Sequence, residues 1–530
     1  MAGGPCYAFV PLKAARLRFG GDDGVKAMKR IPALRLRVTD MLTAIPANSV
    51  FIAGSWTPAT GEPEPVINPA TEAVIGVAPT GGMSEAEQAV AAARRAFDAG
   101  PWPRLTPVER AGFMQRFYDG LLARKEQIIS LIVQEAGGAL RISGRQFDFP
   151  MQLAKYAIEF GARYRDMPLP PGTVNADRVR LVGGVIRREP VGVVSAITPY
   201  NYPYFLNVGK VFPALMMGNT VILKPSPYTP FCALVLAEVA AEVGLPPGVL
   251  SVITGGRDLG ERLTSDPRID LISFTGSDEV GAAIMRQASS TLKRLHFELG
   301  GKSALIVRHD ADLDRAVAAG MAYLNHAGQG CALTTRHLVH NSVRKEYVER
   351  LAAAHRAFKV GDPADPTVDM GPLIREVQRR RVEDYVELGR NAGFRLVTGG
   401  RRPPHLTRGF FYEPTLFDDV DNSSSLAQDE IFGPVGAVIG FDDDAQAVTI
   451  ANDSRYGLSG AIWSRDLGAA FEMARAMRTG GISINGGGSA PDSPFMTPFG
   501  GMKRSGFGRE WGEEGLNAFT DLKAITFQEG

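Results

Sequence analysis

The sequence predicts an α/β protein made of two open, doubly wound α/β domains. Short β-branched runs alternate with helical segments, which is typical of parallel sheets flanked by helices. In addition, 45% of the 530 residues are hydrophobic and 22% are charged, so the chain can bury a large core. One series of runs covers residues 191–197, 220–223, 249–253 and 271–274, and a second covers 303–307, 337–340 and 481–484.

The N-terminal segment differs in composition from the rest of the chain. Residues 1–45 hold eight basic and three acidic residues, without an apolar block of the signal-peptide type. We expect residues 1–48 to be a disordered or non-native extension, with Met41 as a natural start of the chain. An arginine-rich transit peptide is the alternative interpretation.

Regular structure is expected from about Val50, beginning with a strand and turn over residues 51–56. Ser84 is expected to cap a helix that ends near Phe97, since acidic residues fill its first turn and arginines its last. A second helix is predicted over residues 107–123, with further helical segments to about residue 164. The apolar run 231–245 carries two glutamates and is too short to span a bilayer, so it predicts an amphipathic helix of a soluble core.

Charge and cysteine content exclude several classes of function. Lys and Arg number 58 against 57 for Asp and Glu, which gives no electrostatic basis for binding nucleic acid or an anionic membrane. The three cysteines, Cys6, Cys232 and Cys331, have no CxxC spacing, which excludes a disulfide framework or a four-thiolate zinc site. No H-E-x-x-H motif occurs, so no metal site is expected. We therefore expect a reduced, cytoplasmic protein.

Three local patterns are candidates for chemistry. Residues 274–277 (FTGS) follow a predicted strand and open a helix, whose free N–H groups are suited to a diphosphate, although a capped helix without a ligand is the commoner case. Cys331 lies in a glycine-rich turn (GQGC) that a substrate can approach closely, although a single cysteine is usually a buried apolar residue. Glu298 precedes paired glycines and is suited to be a general base, with a solvated loop residue as the alternative.

Eight motifs, taken in order, make a stronger case than any one of them. They are residues 198–203 (TPYNYP), 224–226 (KPS), 274–277 (FTGS), 297–302 (FELGGK), 328–331 (GQGC), 430–434 (EIFGP), Asn485 and 498–501 (PFGG). In this order they closely resemble the aldehyde dehydrogenase superfamily, from about residue 50 to the C terminus.

The resemblance implies oxidation of an aldehyde to the carboxylic acid, with hydride transfer to NAD or NADP. It implies that Cys331 forms a thiohemiacetal and then a thioester, that Asn201 shares the oxyanion with the Cys331 N–H, and that Glu298 activates the hydrolytic water. The coenzyme contacts that it implies are Thr198, Tyr200, Lys224, Ser226, Phe274, Gly276, Ser277, Leu299, Gly300, Glu430 and Phe432.

The same resemblance implies a division of the chain into domains. A Rossmann-like coenzyme domain would cover residues 49–170 and 191–301, and a catalytic domain residues 302–512. Residues 171–190 and 513–530 would form an arm that joins subunits into a homodimer or homotetramer. The sequence of residues 179–188 is typical of an exposed strand, which is suited to pair edge to edge with a strand of another subunit.

Two positions depart from the family pattern. Tyr200 replaces the usual tryptophan before Asn201, and Pro227 replaces a glutamate that often accepts the ribose hydroxyls in NAD-preferring members. Because Pro227 offers no charge to repel a 2′-phosphate, we expect both coenzymes to be used, with NAD slightly favoured. Aromatic residues near the site, including Phe495, suggest an aromatic or apolar aldehyde.

Two other functions are the alternatives. An acyl-transferring relative would release its thioester to coenzyme A, but that branch usually lacks the base that Glu298 provides. A catalytically inactive binding homologue would have lost catalytic positions, whereas Cys331, Glu298 and Asn201 are all present. Formation of acid without coenzyme A would distinguish these possibilities.

Overall fold

The computed structural model describes residues 37–42, 45–175, 179–487 and 496–529. Cys6, most of the predicted N-terminal extension and Phe495 lie outside the described residues. No helix in the described ranges is long and apolar enough to cross a membrane.

The first domain is built on an eight-stranded sheet. Its strands are β1 (Ser49–Ile52), β2 (Ser55–Pro58), β7 (Val193–Ile197), β8 (Thr220–Lys224), β9 (Leu250–Val252), β10 (Leu271–Thr275), β11 (Arg294–Glu298) and β21 (Gly506–Phe507). Their order is β2-β1-β9-β8-β7-β10-β11-β21, and β7 to β11 run parallel. Strands β8 and β9 lie on one side of β7, whereas β10 and β11 lie on the other side. A crevice is expected where the order reverses, outside the carboxyl ends of β7 and β10.

The second domain holds a seven-stranded sheet. Its strands are β12 (Ala304–Val307), β13 (Arg336–His340), β14 (Arg395–Thr398), β15 (Thr415–Asp418), β16 (Val435–Phe441), β18 (Ser459–Trp463) and β19 (Gly481–Ile484). They follow the order β14-β15-β16-β13-β12-β18-β19, and only the edge pair β14–β15 is antiparallel among the described pairs of this sheet. The prediction of two α/β sheet domains is confirmed.

A third, antiparallel sheet forms an arm from β5 (Met167–Asn175), β6 (Val179–Pro190) and β22 (Thr520–Gln528), in the order β22-β6-β5. Its first strand begins four residues before the predicted boundary at 171, because residues 167–169 already pair with β6. Two further strand pairs are β3 (Gly61–Ile67) with β4 (Val74–Thr80) and β17 (Tyr456–Gly457) with β20 (Met502–Lys503).

Sixteen α-helices flank the sheets in the described ranges. They are α1 (Val38–Met41), α2 (Met83–Asp98), α3 (Pro107–Ala123), α4 (Lys125–Leu131), α5 (Leu140–Gly161), α6 (Pro203–Met216), α7 (Phe231–Glu242), α8 (Arg257–Ser265), α9 (Asp278–Ala288), α10 (Leu313–Gly320), α11 (Asn341–Ala357), α12 (Glu376–Asn391), α13 (Ser425–Gln428), α14 (Asp444–Asn452), α15 (Leu467–Ala476) and α16 (Gly512–Asn517). Short 3₁₀ turns cover Trp102–Arg104, Ser289–Thr291 and Met321–Gly328, and a π-helix covers Ile132–Ala136.

Helix caps explain where several of these helices begin. Thr106 caps α3, and its hydroxyl accepts the Glu109 N–H at 3.3 Å. Helix α2 starts earlier than expected, with Gly82 rather than Ser84 at the N-cap. The reason is that the Glu85 carboxylate reaches back to accept the Gly82 N–H at 2.7 Å, which satisfies a free backbone donor.

Three further expectations differ from the structure. Residues 38–41 of the predicted extension form helix α1, because Val38 and Met41 bury their side chains in the core of the first domain. Helix α7 is not amphipathic: residues 231–240 are all buried, as in a helix that other elements surround. Strand β21 falls within the predicted catalytic segment 302–512, yet it pairs with β11 of the first sheet.

Candidate active site

One cavity of about 700 Å³ lies at the carboxyl ends of β10 and β11 and faces loops of the second domain. Ten of the sequence-predicted site residues line it: Tyr200, Asn201, Gly276, Ser277, Glu298, Leu299, Gly300, Cys331, Glu430 and Phe432. Residues that are distant in the sequence therefore meet at one place, because parallel strands bring their carboxyl ends to the same edge.

The loop that carries Cys331 is held by the side chain of Gln329. That residue is fully buried; its Oε1 accepts the Ile374 N–H at 2.9 Å and its Nε2 donates to the His326 carbonyl at 3.1 Å. Gly328 has φ +76, and a Cβ there would lie 2.1 Å from the Gly433 carbonyl oxygen, so this close approach requires glycine. These contacts fix the position of the thiol.

Cys331 is partly exposed as a residue and lines the cavity. Burial raises its pKa well above the usual range, and the charges of Glu430 and Glu298 add to the effect. The thiol is therefore protonated at neutral pH in this arrangement. To react as a nucleophile it must lose its proton to a base.

Asn201 lies in the loop after β7 and is almost completely buried. Its Nδ2 donates to the Gln329 carbonyl at 2.8 Å, two residues before Cys331. An amide nitrogen carries two hydrogens, so one remains to donate to an oxygen bound next to Cys331. The contact that positions Asn201 thus leaves its second hydrogen for a substrate.

Glu298 is the last residue of β11, and its side chain is buried. Neither carboxyl oxygen has a hydrogen-bond partner among the described residues. His296 Nε2 lies 3.8 Å away, but burial lowers the pKa of His296 to about 4, so this ring is neutral at pH 7. Burial raises the pKa of Glu298 well above its usual range, and the charge of Glu510 adds to the shift. A carboxyl group with a raised pKa is suited to exchange protons near neutral pH.

A buried ion pair lies beside Glu298 and was not predicted from the sequence. Lys210 Nζ lies 2.7 Å from Glu510 Oε1 and 3.0 Å from Ser273 Oγ, with both charged side chains at most 5% exposed. The signal available in the sequence was a lysine inside the apolar helix α6, which is rarely buried without a partner. Its partner lies 300 residues away.

The other end of the cavity carries the predicted coenzyme contacts. Ser277 caps α9, as predicted, and its Oγ accepts the Val280 N–H at 3.3 Å. Glu430 accepts the Gly301 N–H at 3.0 Å, and burial raises the pKa of Glu430 to about 7. The rings of Tyr200 and Phe432 meet edge to face, with centroids 6.0 Å apart.

Four predicted contacts do not line the cavity: Thr198, Lys224, Ser226 and Phe274. Lys224 ends β8, and its buried Nζ has one recorded acceptor, the Pro225 carbonyl at 3.4 Å. Burial lowers the pKa of Lys224 to about 8, an effect that the Glu64 carboxylate opposes. A buried ammonium group with a single acceptor is suited to bind a ligand whose hydroxyl groups would accept its remaining hydrogens. The Thr198 hydroxyl donates instead to Asn207 Oδ1 at 2.7 Å.

The chain is similar in sequence to several known proteins. A family model described as the aldehyde dehydrogenase family matches residues 56–525. Aminoaldehyde dehydrogenase 2 of Zea mays is 39% identical over 489 residues, which cover 91% of this chain and 96% of that protein. Geranial dehydrogenase of Castellaniella defragrans is 38% identical, with coverage of 90% and 98%.

Solved structures give the same result. The crystal structure of Mycobacterium tuberculosis aldehyde dehydrogenase complexed with NAD⁺ has a TM-score of 0.83 and 42% identity, covering 90% of this chain and 97% of that one. Betaine aldehyde dehydrogenase from Staphylococcus aureus, in complex with NAD⁺, has a TM-score of 0.86 and 33% identity, covering 92% and 96%.

Proposed function

The chain belongs to the aldehyde dehydrogenase family, and from that premise we propose that it oxidises an aldehyde to the carboxylic acid through a covalent intermediate on Cys331. The observation that carries the proposal is the meeting of a thiol, an amide donor and a buried carboxyl group in one cavity: Cys331, Asn201 and Glu298. The first sheet domain would bind the coenzyme, and the second would supply the thiol.

The first step is attack of Cys331 sulfur on the carbonyl carbon. A carbon–sulfur bond forms, the π electrons move to the oxygen, and the thiol proton passes to a base. The free hydrogen of the Asn201 amide and the Cys331 N–H are the two donors for the resulting oxyanion. Both belong to groups held in place before the reaction, so little reorganisation is needed when charge develops.

A bound NAD or NADP supplies the oxidising power, as the acceptor of a hydride. The residues present fit such a coenzyme: the capped N-terminus of α9 suits a diphosphate, and the poorly solvated Lys224 ammonium suits ribose hydroxyls. Glu430 and Phe432 would position the nicotinamide end.

The second half-reaction is hydrolysis of the thioester on Cys331. Glu298 would take a proton from water in its carboxylate form, and its raised pKa makes that carboxylate a stronger base. The presence of this carboxyl group favours release of an acid over transfer of the acyl group to coenzyme A.

The test compares two cysteine variants. Cys331→Ala should reduce aldehyde-dependent formation of reduced nicotinamide below about 1% of wild type, because no other group forms the covalent bond. Cys232→Ala is the matched control, since Cys232 is fully buried in α7 and should be nearly silent. Coenzyme binding should survive in both variants. Turnover by Cys331→Ala, or a requirement for coenzyme A, would overturn the proposal.

The arm sheet supports a further proposal, that the protein is a homodimer or homotetramer. Edge strand β22 exposes Leu522, Ile525 and Phe527, and an apolar edge strand is normally covered. A second copy of the chain would cover it. A cytoplasmic location is proposed from the three scattered cysteines, which suit a reducing compartment.

A further inference from the structure

One wall of the cavity is aromatic. We call the aromatic wall the rings of Phe149, Tyr202, Phe205, Phe499 and Trp511, all of which line the cavity. The centroids of Phe149 and Phe205 are 5.6 Å apart, those of Phe205 and Trp511 5.7 Å, and those of Trp511 and Phe499 4.5 Å. The rings form one continuous apolar surface, a typical environment for an apolar ligand.

Trp511, a member of the aromatic wall, has a strained backbone conformation. Its φ of +63 and ψ of 164 fall in a region that is almost exclusive to glycine. The surrounding contacts with Phe149, Phe205 and Phe499 keep the indole against the cavity. The wall is therefore a fixed surface.

A positive charge stands beside this wall. Arg145 lines the cavity and lies one helical turn before Phe149 on α5, so the two side chains share a face. No ion pair joins Arg145 to a carboxylate in the part of the chain that the structure describes. One turn earlier on the same helix, Arg141 pairs with Asp369 at 3.0 Å. Arg145 is exposed to solvent and contributes a positive charge that no carboxylate of the described residues pairs with.

The carboxylates of the cavity do not offset Arg145. Glu510 is neutralised by Lys210 at 2.7 Å, and the buried Glu298 makes no ion pair with Arg145. The other acids that line the cavity are Asp278, Glu279 and Glu430, and they belong to the coenzyme end. Asp278 and Glu279 lie in the first turn of α9, where Asp278 pairs with Arg504 at 2.7 Å, and Glu430 accepts the Gly301 N–H.

Aromatic walls bind two kinds of ligand, apolar groups and quaternary ammonium cations, and the local charge decides between them. A cation in this cavity would meet the Arg145 guanidinium, with which no carboxylate in the described ranges pairs. We propose that the cavity selects uncharged, apolar aldehydes and that Arg145 is the residue that discriminates against cationic ones. This inference rests on the function proposed above.

The test uses two aldehydes of the same shape. Betaine aldehyde carries a trimethylammonium group, whereas 3,3-dimethylbutanal carries a tert-butyl group in the same position. With wild type, kcat/KM for the neutral aldehyde should exceed that for the cation by at least about tenfold, since like charges across a site act against the wrong ligand. Equal use of the two, or preference for betaine aldehyde, would overturn the inference.

Three variants assign the effect to Arg145. Arg145→Gln should reduce the discrimination, and Arg145→Glu should reduce it by about tenfold or more, mainly by raising kcat/KM for the cation. Arg141→Gln is the matched control on the same helix and should leave the ratio of the two aldehydes unchanged. A ratio that Arg145→Glu moves by less than about twofold would refute the role of Arg145.

Two further measurements separate this inference from the proposed function. If neither aldehyde is oxidised, the proposed function fails, but choline and 3,3-dimethylbutan-1-ol still report on the cavity as unreactive analogues. Binding followed by tryptophan fluorescence should favour the neutral alcohol in wild type and less so in Arg145→Glu. An aldehyde with a carboxylate tail, succinic semialdehyde, tests the opposite charge: if it exceeds the neutral aldehyde about tenfold, Arg145 binds anions and the inference is wrong.

Discussion

Replacing Asn201 by alanine tests whether its amide donates to the oxygen of an adduct on Cys331. The proposed oxyanion site contains two donors, the Asn201 amide and the Cys331 N–H. Removal of one such donor typically costs about 2.7–4 kcal/mol of transition-state stabilisation, so the chemical step should slow by about 10²–10³-fold. Asn201→Asp, which keeps the shape but adds a negative charge, should be slower still.

The structure indicates that this loss would be chemical and not structural. Asn201 also donates to the Gln329 carbonyl at 2.8 Å, so the substitution removes one tether of the Cys331 loop. The side chain of Gln329 keeps both of its anchors, the Ile374 N–H and the His326 carbonyl. We therefore expect the thiol to stay in place.

The assay is the pre-steady-state burst of reduced nicotinamide after rapid mixing with an aldehyde. Alkylation of Cys331 by iodoacetamide, in the absence of aldehyde, reports whether the loop has moved, and coenzyme binding reports on the rest of the site. A burst rate for Asn201→Ala within about threefold of wild type would refute the donor role. If alkylation slows as much as the burst, displacement of the loop explains the loss and the donor argument fails.

Four other predictions follow from the same geometry. Glu298→Gln should release one equivalent of reduced nicotinamide per site and then stall; loss of the burst would mean that Glu298 acts on the thiol itself. Because burial raises the pKa of both Cys331 and Glu298, and both act in deprotonated form, kcat/KM should rise with pH through neutrality; a profile that falls over this range contradicts the assignment. Wild type should accept both coenzymes within about thirtyfold, with NAD favoured, and Pro227→Glu should weaken use of NADP with little effect on NAD; wild-type rejection of NADP beyond about a thousandfold would show that another residue sets the preference. A chain that starts at Met41 loses buried Val38 and should be less stable by about 1.5–3 kcal/mol in denaturant unfolding than one that starts at residue 37; equal midpoints would show that α1 contributes nothing.

The features that the sequence predicted well are local ones. The strand that ends at residue 275 and the Ser277 cap follow from a β-branched run and one hydroxyl at a helix start. The two sheet domains follow from the alternation of such runs with helices. The glycine-rich turn at Cys331 was visible because a close backbone approach demands particular residues at particular places.

The features that it missed depend on packing between distant segments. The sequence around Lys210 does not indicate that Glu510 is its partner, because the pair forms only when α6 and the C-terminal segment pack together. The role of Gln329 was equally hidden, since its anchors are a carbonyl three residues away and an amide 45 residues away. Strand β21 joined the first sheet for the same reason.

The same distinction explains why the reaction could be predicted before the substrate. Chemistry is encoded in short motifs, each of which constrains its own backbone, so the candidate catalytic residues are recognisable one at a time. Specificity is encoded in which side chains face a cavity, and this depends on how whole helices pack. Arg141 and Arg145 are similar residues one turn apart on α5, yet the first pairs with Asp369, while the second lines the cavity and pairs with no carboxylate among the described residues. Only the packed structure separates them, which is why the discrimination that we propose for Arg145 could not be predicted from the sequence.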